Sequence, residues 1–171
     1  MILDVGCGTL NRNFPILKSN VINIDIQKTN FNKEFLDILC DAQYLPFRNE
    51  MFEIVYASHV MEHVFNPIQF LNELKRVSKR KVIIKVPRLT RKFDYYESHG
   101  HIFTWSKISL EHLLLLVFNN VEIYYSIRKH FVDLPFLSKT FNIFFFLAIS
   151  ILTNSNRQNE LIAICRVDKK Y

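Results

Sequence analysis

Glycine is scarce in this sequence: three occur in 171 residues, at positions 6, 8 and 100. A dinucleotide fingerprint needs Gly-x-Gly-x-x-Gly, and Asn11 stands where its last glycine belongs, which disfavours hydride transfer from a nicotinamide cofactor. Cysteine is equally sparse. Cys7, Cys40 and Cys165 form no metal-ligand spacing, and the last two fall in apolar runs that read as strands, in keeping with a reducing interior. The apolar run 141–152 falls short of the roughly 20 residues of a membrane span, and Lys139 stops it from extending upstream. There is little concentration of charge either. The net charge is +6, but the basic residues are scattered apart from Lys75-Arg76 and Lys79-Arg80-Lys81. These read as a solvated helix end rather than a phosphate-binding patch, so no nucleic-acid partner is expected. Because the first residues already read as a core strand, no signal peptide is expected, and the cytoplasm is the expected compartment.

What is present points to one domain, 1–171, with 49% apolar and 22% charged residues, enough to bury a substantial core. The stretch Met1-Ile2-Leu3-Asp4-Val5-Gly6-Cys7-Gly8 is an apolar run that breaks into a Gly-x-Gly turn. Such a turn beside the first strand of a doubly wound sheet offers free amides and no side-chain bulk to a nucleotide. A poor helix follows over 9–18, interrupted by Asn11, Asn13 and Pro15. Val21-Ile22-Asn23-Ile24-Asp25-Ile26 reads as a second buried strand with a carboxylate at its tip, 17 positions beyond Gly8. That spacing is close to the one at which a strand-end acid meets ribose hydroxyls, and a solvated turn aspartate is the plainer alternative.

Further strands are expected at 35–40, closed by Asp41-Ala42, and at 52–58, leading into His59-Val60-Met61-Glu62-His63. Pro67 opens an amphipathic helix to about Val77, with Ile68, Leu71, Leu74 and Val77 on its apolar face. A fifth strand is expected at 81–86, a helix capped by Ser106 that buries Ile108, Leu113 and Leu116, and two last strands at 121–127 and 160–167. The alternation argues for a parallel sheet with helices on both faces.

Asp4-x-Gly6-x-Gly8, Asp25 at a strand tip, Asp41-Ala42-Gln43-Tyr44-Leu45-Pro46-Phe47 and His59-Val60-Met61-Glu62-His63 together resemble class I S-adenosylmethionine-dependent methyltransferases. The small domain type of quinone-biosynthesis enzymes is the nearest likeness, over about 1–105 and again in the C-terminal strands. The resemblance implies a Rossmann-like, doubly wound α/β sheet of seven strands, mostly parallel with an antiparallel last strand. It implies S-adenosylmethionine as cofactor. Gly6 and Gly8 would face its methionine end, Asp4 would orient its amino group, Asp25 with Ile26 would hold the ribose side, and Asp41 with Ala42 would meet the adenine. Leu10 stands where relatives usually carry a third glycine.

His59-x-x-Glu62-His63 also matches an inverted zinc-hydrolase signature, but a strand end and the restart at Pro67 keep the two histidines off one helix face, so no metal is expected. The polar segment 87–105 leaves the fifth strand at the ligand edge and is the candidate for acceptor recognition. His59, His99 and His101 are the candidate bases, since imidazole suits deprotonation near neutral pH. The insertion at about 128–159 contains the apolar stretch 134–153, which suits a core helix, a lid, a protein partner or the surface of a membrane. The function expected is methyl transfer to a small-molecule or lipid-like acceptor. A non-catalytic partner subunit of the same fold is the alternative, suggested by Leu10 and the apolar insertion.

Overall fold

Ile2, Leu3, Asp4 and Val5 are all buried because β1 (Ile2–Val5) lies in the middle of the sheet, with β2 (Val21–Asp25) on one side and β4 (Phe52–Ser58) on the other. The computed structural model describes residues 1–8, 20–30, 32–88, 100–126 and 160–167. Among them the remaining elements are β3 (Ile38–Leu39), α1 (Pro67–Val77), β5 (Ser78–Pro87), α2 (Lys107–Leu115), β6 (Asn120–Ser126) and β7 (Glu160–Arg166). The seven strands form one sheet in the order β3-β2-β1-β4-β5-β7-β6. The first five are parallel, and β7 runs antiparallel to both β5 and β6. This is the Rossmann-like architecture expected.

Helix α1 starts where it should: Asn66 Oδ1 accepts the Gln69 N–H at 3.0 Å, and Pro67 follows in the first turn. Its face carries Phe70, Leu71, Leu74 and Val77 into the core, against Phe52, Val55, Val82 and Ile84 of the strands. β5 begins at Ser78 rather than Lys81, because the chain turns extended directly after α1 with no intervening loop. β3 is cut to two residues. Asn32, itself buried, accepts the Thr29 N–H and donates to the Gln27 carbonyl, so the chain before β3 is spent on turns.

Helix α2 corrects the face read from its sequence. Leu110 and Leu114 are buried, whereas Ile108 and Leu116 are exposed and Leu113 is only partly covered. With leucine at four consecutive positions, 113–116, apolar periodicity does not single out a face. Lys75 and Arg76 are less solvated than expected: Arg76 donates to the Leu45 and Phe47 carbonyls and to Glu73, and Lys75 Nζ donates to the Val117 carbonyl. Lys79 and Arg80, on β5 rather than at the helix end, are exposed as expected and pair with Glu53. Among the described residues no helix is long and apolar enough to cross a membrane. The apolar stretch 134–153 lies outside the described residues, but the strand ends that bracket it, Ser126 and Glu160, are paired neighbours.

Candidate functional site at the carboxyl ends of the strands

The parallel strands deliver their C-terminal ends to one edge, where loops of an open α/β sheet line a ligand crevice. Gly6 and Gly8 both adopt positive φ, +69° and +64°, which glycine reaches without strain. The Gly6 and Cys7 amides both donate to the Ile24 carbonyl, at 2.8 and 3.0 Å, so the turn is tied to the end of β2. Gly6 has a second reason to be glycine: a Cβ there would overlap Val60 Cγ2. Cys7 within the turn is no nucleophile, since burial, helped by Asp25 and Asp4, pushes its thiol up to about 12.

Asp25 lies next to this turn. Its Oδ2 accepts the Gly8 N–H at 2.8 Å and its Oδ1 the Gln27 N–H at 3.0 Å. Ile26, one residue on, is 64% exposed, an apolar side chain left at the mouth of the sheet. Asp41 is held nearby because the Cys40 N–H donates to the Asp25 carbonyl, and Asp41 Oδ1 accepts the Gln43 N–H. Ala42 beside it is half-buried. Asp4 is fully buried in β1, in register with Asn23 and Tyr56. The structure thus brings Asp4, Gly6, Gly8, Asp25, Ile26, Asp41 and Ala42 to one end of three adjacent strands.

His59 closes β4 in a left-handed conformation, φ +56°, unusual for a residue with a Cβ. Its ring lies between two buried carboxylates, Nε2 at 2.9 Å from Glu160 Oε1 and Nδ1 at 3.3 Å from Glu62 Oε1. Glu160 also pairs with Lys85 Nζ at 2.7 Å. Burial raises the Glu160 carboxyl, but His59 and Lys85 outweigh it and hold the group below its ordinary value. The bond to Glu160, then that to Glu62, lifts His59 from 6.5 to about 9. It is therefore an imidazolium at neutral pH, and accepting a proton there becomes open to it only above about pH 9. Because the folded value is the higher one, the interaction contributes its full stability below pH 6.5 and loses it as pH rises through 9. The expected size is about 1–2 kcal/mol, allowing for solvent at the ring. Urea unfolding from pH 6 to 10 should show that decline in the wild type and a flatter profile in Glu160→Gln. Parallel profiles would refute the linkage.

His101 is half-buried and packs edge-on against the exposed ring of His63, centroids 4.8 Å apart, while His99 and most of the loop 87–105 lie outside the described residues. Sequence reasoning missed Glu160 altogether and gave Glu62 no role at the site, although both are buried. An acid opening the otherwise apolar strand Leu161 to Cys165 was the available signal for the first.

Residues 3–84 match the family model described as a methyltransferase domain, and this span holds all seven residues expected on the cofactor side. An uncharacterized protein of Methanocaldococcus jannaschii is 34% identical over 90 residues, 47% of this chain; the match spans only 37% of that relative's own length. Among solved structures, an S-adenosylmethionine-dependent methyltransferase from Archaeoglobus fulgidus superposes with a TM-score of 0.66 at 19% identity, covering 96% of this chain and 85% of that one. A putative methyltransferase of Haloferax volcanii in complex with the Trm112 methyltransferase activator gives 0.66 at 13% identity, covering 99% and 82%. The chain thus has the Rossmann-like fold of these structures, its residues 3–84 are similar to a methyltransferase domain, and the cofactor that this match and the fold support is S-adenosylmethionine.

Proposed function

We propose that this protein transfers the sulfonium methyl of S-adenosylmethionine to an oxygen, nitrogen or carbon of a small-molecule or lipid-like acceptor. The observation that carries the reading is the convergence of the Gly6 to Gly8 turn and the Asp25 carboxylate, joined by the Gly8 amide at 2.8 Å. Asp25 would exchange its own amide partners for the ribose hydroxyls, Asp41 with the Ala42 amide would meet the adenine edge, and Asp4 would orient the methionine amino group. Ile26 would cover the apolar side of the nucleoside.

When bound, the cofactor would supply an electrophilic methyl carbon to an acceptor lone pair, with sulfur leaving as the neutral thioether and the acceptor proton passing to a base of this chain. The protein's part is mainly alignment of the two reactants. His101 and His99 are the proposed bases, and His59 is one only at alkaline pH, serving otherwise as a fixed cation of the crevice wall. The likeness to quinone-biosynthesis enzymes puts ring-bearing, lipid-like acceptors first in a screen, and the stretch 134–153 is proposed to contact such an acceptor, a protein partner or a membrane surface. A cytoplasmic setting is part of this reading.

Calorimetry with S-adenosylmethionine and with NADH tests it. One site for the first and none for the second is expected, followed by label transfer from a labelled methyl donor in an acceptor screen. Binding of NADH instead would overturn the reading, and no binding of either by the folded protein would favour the alternative of a non-catalytic partner subunit.

A further inference from the structure

We propose that Glu62, His63 and His101 form a binding site for a divalent transition ion of the zinc type, at the rim of the crevice. One carboxylate oxygen and one imidazole nitrogen from each histidine lie within 4.8 Å of one another. The placement is built by the backbone. Glu62 and His63 are adjacent in the turn after β4, and the Glu62 carbonyl accepts both the Ile102 N–H at 2.8 Å and the Phe103 N–H at 3.2 Å. Those two bonds fasten the segment carrying His101 to the turn carrying His63, so the ligands come from two anchored pieces of chain.

The hydrogen bonding suits an ion. His63 Nδ1 lies 3.3 Å from the Gly100 carbonyl, to which it can only donate an N–H, so Nε2 is the ring nitrogen left for a ligand. Donation of one ring N–H to a backbone carbonyl is how a ligating histidine is commonly oriented. Glu62 provides the second observation. Its side chain is fully buried, Oε1 faces the His59 ring at ion-pair distance, and Oε2 has no hydrogen-bond partner. A buried carboxylate oxygen without a partner is costly, and a cation resolves it directly.

Two imidazoles and one carboxylate suit zinc or a neighbouring first-row ion, whereas calcium and magnesium prefer oxygen throughout. His63 is exposed and His101 half-buried, so an ion reaches the buried acid from solvent and keeps a position for water or an acceptor atom. The set differs from the inverted zinc-hydrolase reading, because His59 is engaged by Glu160 and Glu62 becomes a ligand instead of a base. It also departs from the sequence-based expectation of no metal. With an ion bound, the lone pair of His101 is spent, so ligation and proton acceptance by that ring are alternatives.

The test is Zn2+ titration of the chelator-treated full-length protein against a chromophoric competitor, with the visible spectrum of the Co2+ form as a second readout. His63→Ala and His101→Ala serve as variants, and unfolding curves confirm that each is folded. One equivalent of Zn2+ is expected, weakened about hundredfold in each variant, with the Co2+ ligand-field bands lost. No stoichiometric binding by the wild type, or binding unchanged in both variants, would overturn the assignment.

Discussion

Gly6→Ala should lower the unfolding free energy by about 3 kcal/mol, the sum of a methyl forced into a filled space and a Cβ held at positive φ. Both terms come from the turn after β1: φ is +69°, and the added carbon would overlap the Val60 side chain. Gly8→Ala is the internal control. It shares the positive φ, +64°, but the nearest atom to a Cβ there is the Gly6 carbonyl oxygen at 3.9 Å, so only the conformational cost applies, about 1 kcal/mol. Urea unfolding of the two variants separates the terms. Val60→Ala placed on top of Gly6→Ala should restore part of the loss, and the double-mutant cycle reports how much of the effect is the contact itself. Equal losses in the two glycine variants would mean that Val60 simply rotates away.

The second large effect concerns Asp25. Asp25→Ala should weaken S-adenosylmethionine binding by about 2 kcal/mol or more, roughly thirtyfold, since the two charge-assisted hydrogen bonds proposed to the ribose would disappear together. The same carboxylate accepts the Gly8 amide in the free protein, but the Gly6 and Cys7 amides bonded to the Ile24 carbonyl keep the turn tied to β2 in the variant. Asp25→Asn can still accept from that amide while losing the charge, and should fall between wild type and alanine. Calorimetry at fixed ionic strength measures all three. Full affinity in a folded Asp25→Ala would remove this residue from the cofactor site.

The glycine turn and the strand-tip position of Asp25 were legible in the sequence because both are local features that announce themselves within a few residues. Other features depended on partners far along the chain. Glu62 looks like a turn residue until His59 is seen to be shared between it and Glu160. The meeting of His63 with His101 depends on two backbone hydrogen bonds to the Glu62 carbonyl, which no residue pattern encodes. Helix α2 defeated pattern reading for the opposite reason, an excess of signal: leucines on every side conceal that Leu110 and Leu114 are the pair facing inward. The shortness of β3 follows from the side chain of Asn32, whose bonds to Thr29 and Gln27 stabilise turns where apolar residues suggested a longer strand.

The origin of Glu160 bears on the order in which the molecule is assembled. It is the first residue of β7, opposite Pro87 of β5 and Ser126 of β6, and it reaches His59 across a sequence separation of 101 residues. Strands β1 to β3 and the turn after β1, which together hold Asp4, Gly6, Gly8 and Asp25, lie within the first 39 residues, and the strands can pair while the rest of the chain is still being synthesised. The clamp on His59 cannot form until the final strand has inserted between β5 and β6, a step of long loop closure and correspondingly slow. A nascent chain therefore passes through an interval in which the glycine-turn end of the crevice can exist while His59 and Lys85 still lack their shared acid. Completion of the crevice wall is in this sense a checkpoint on having reached the end of the fold.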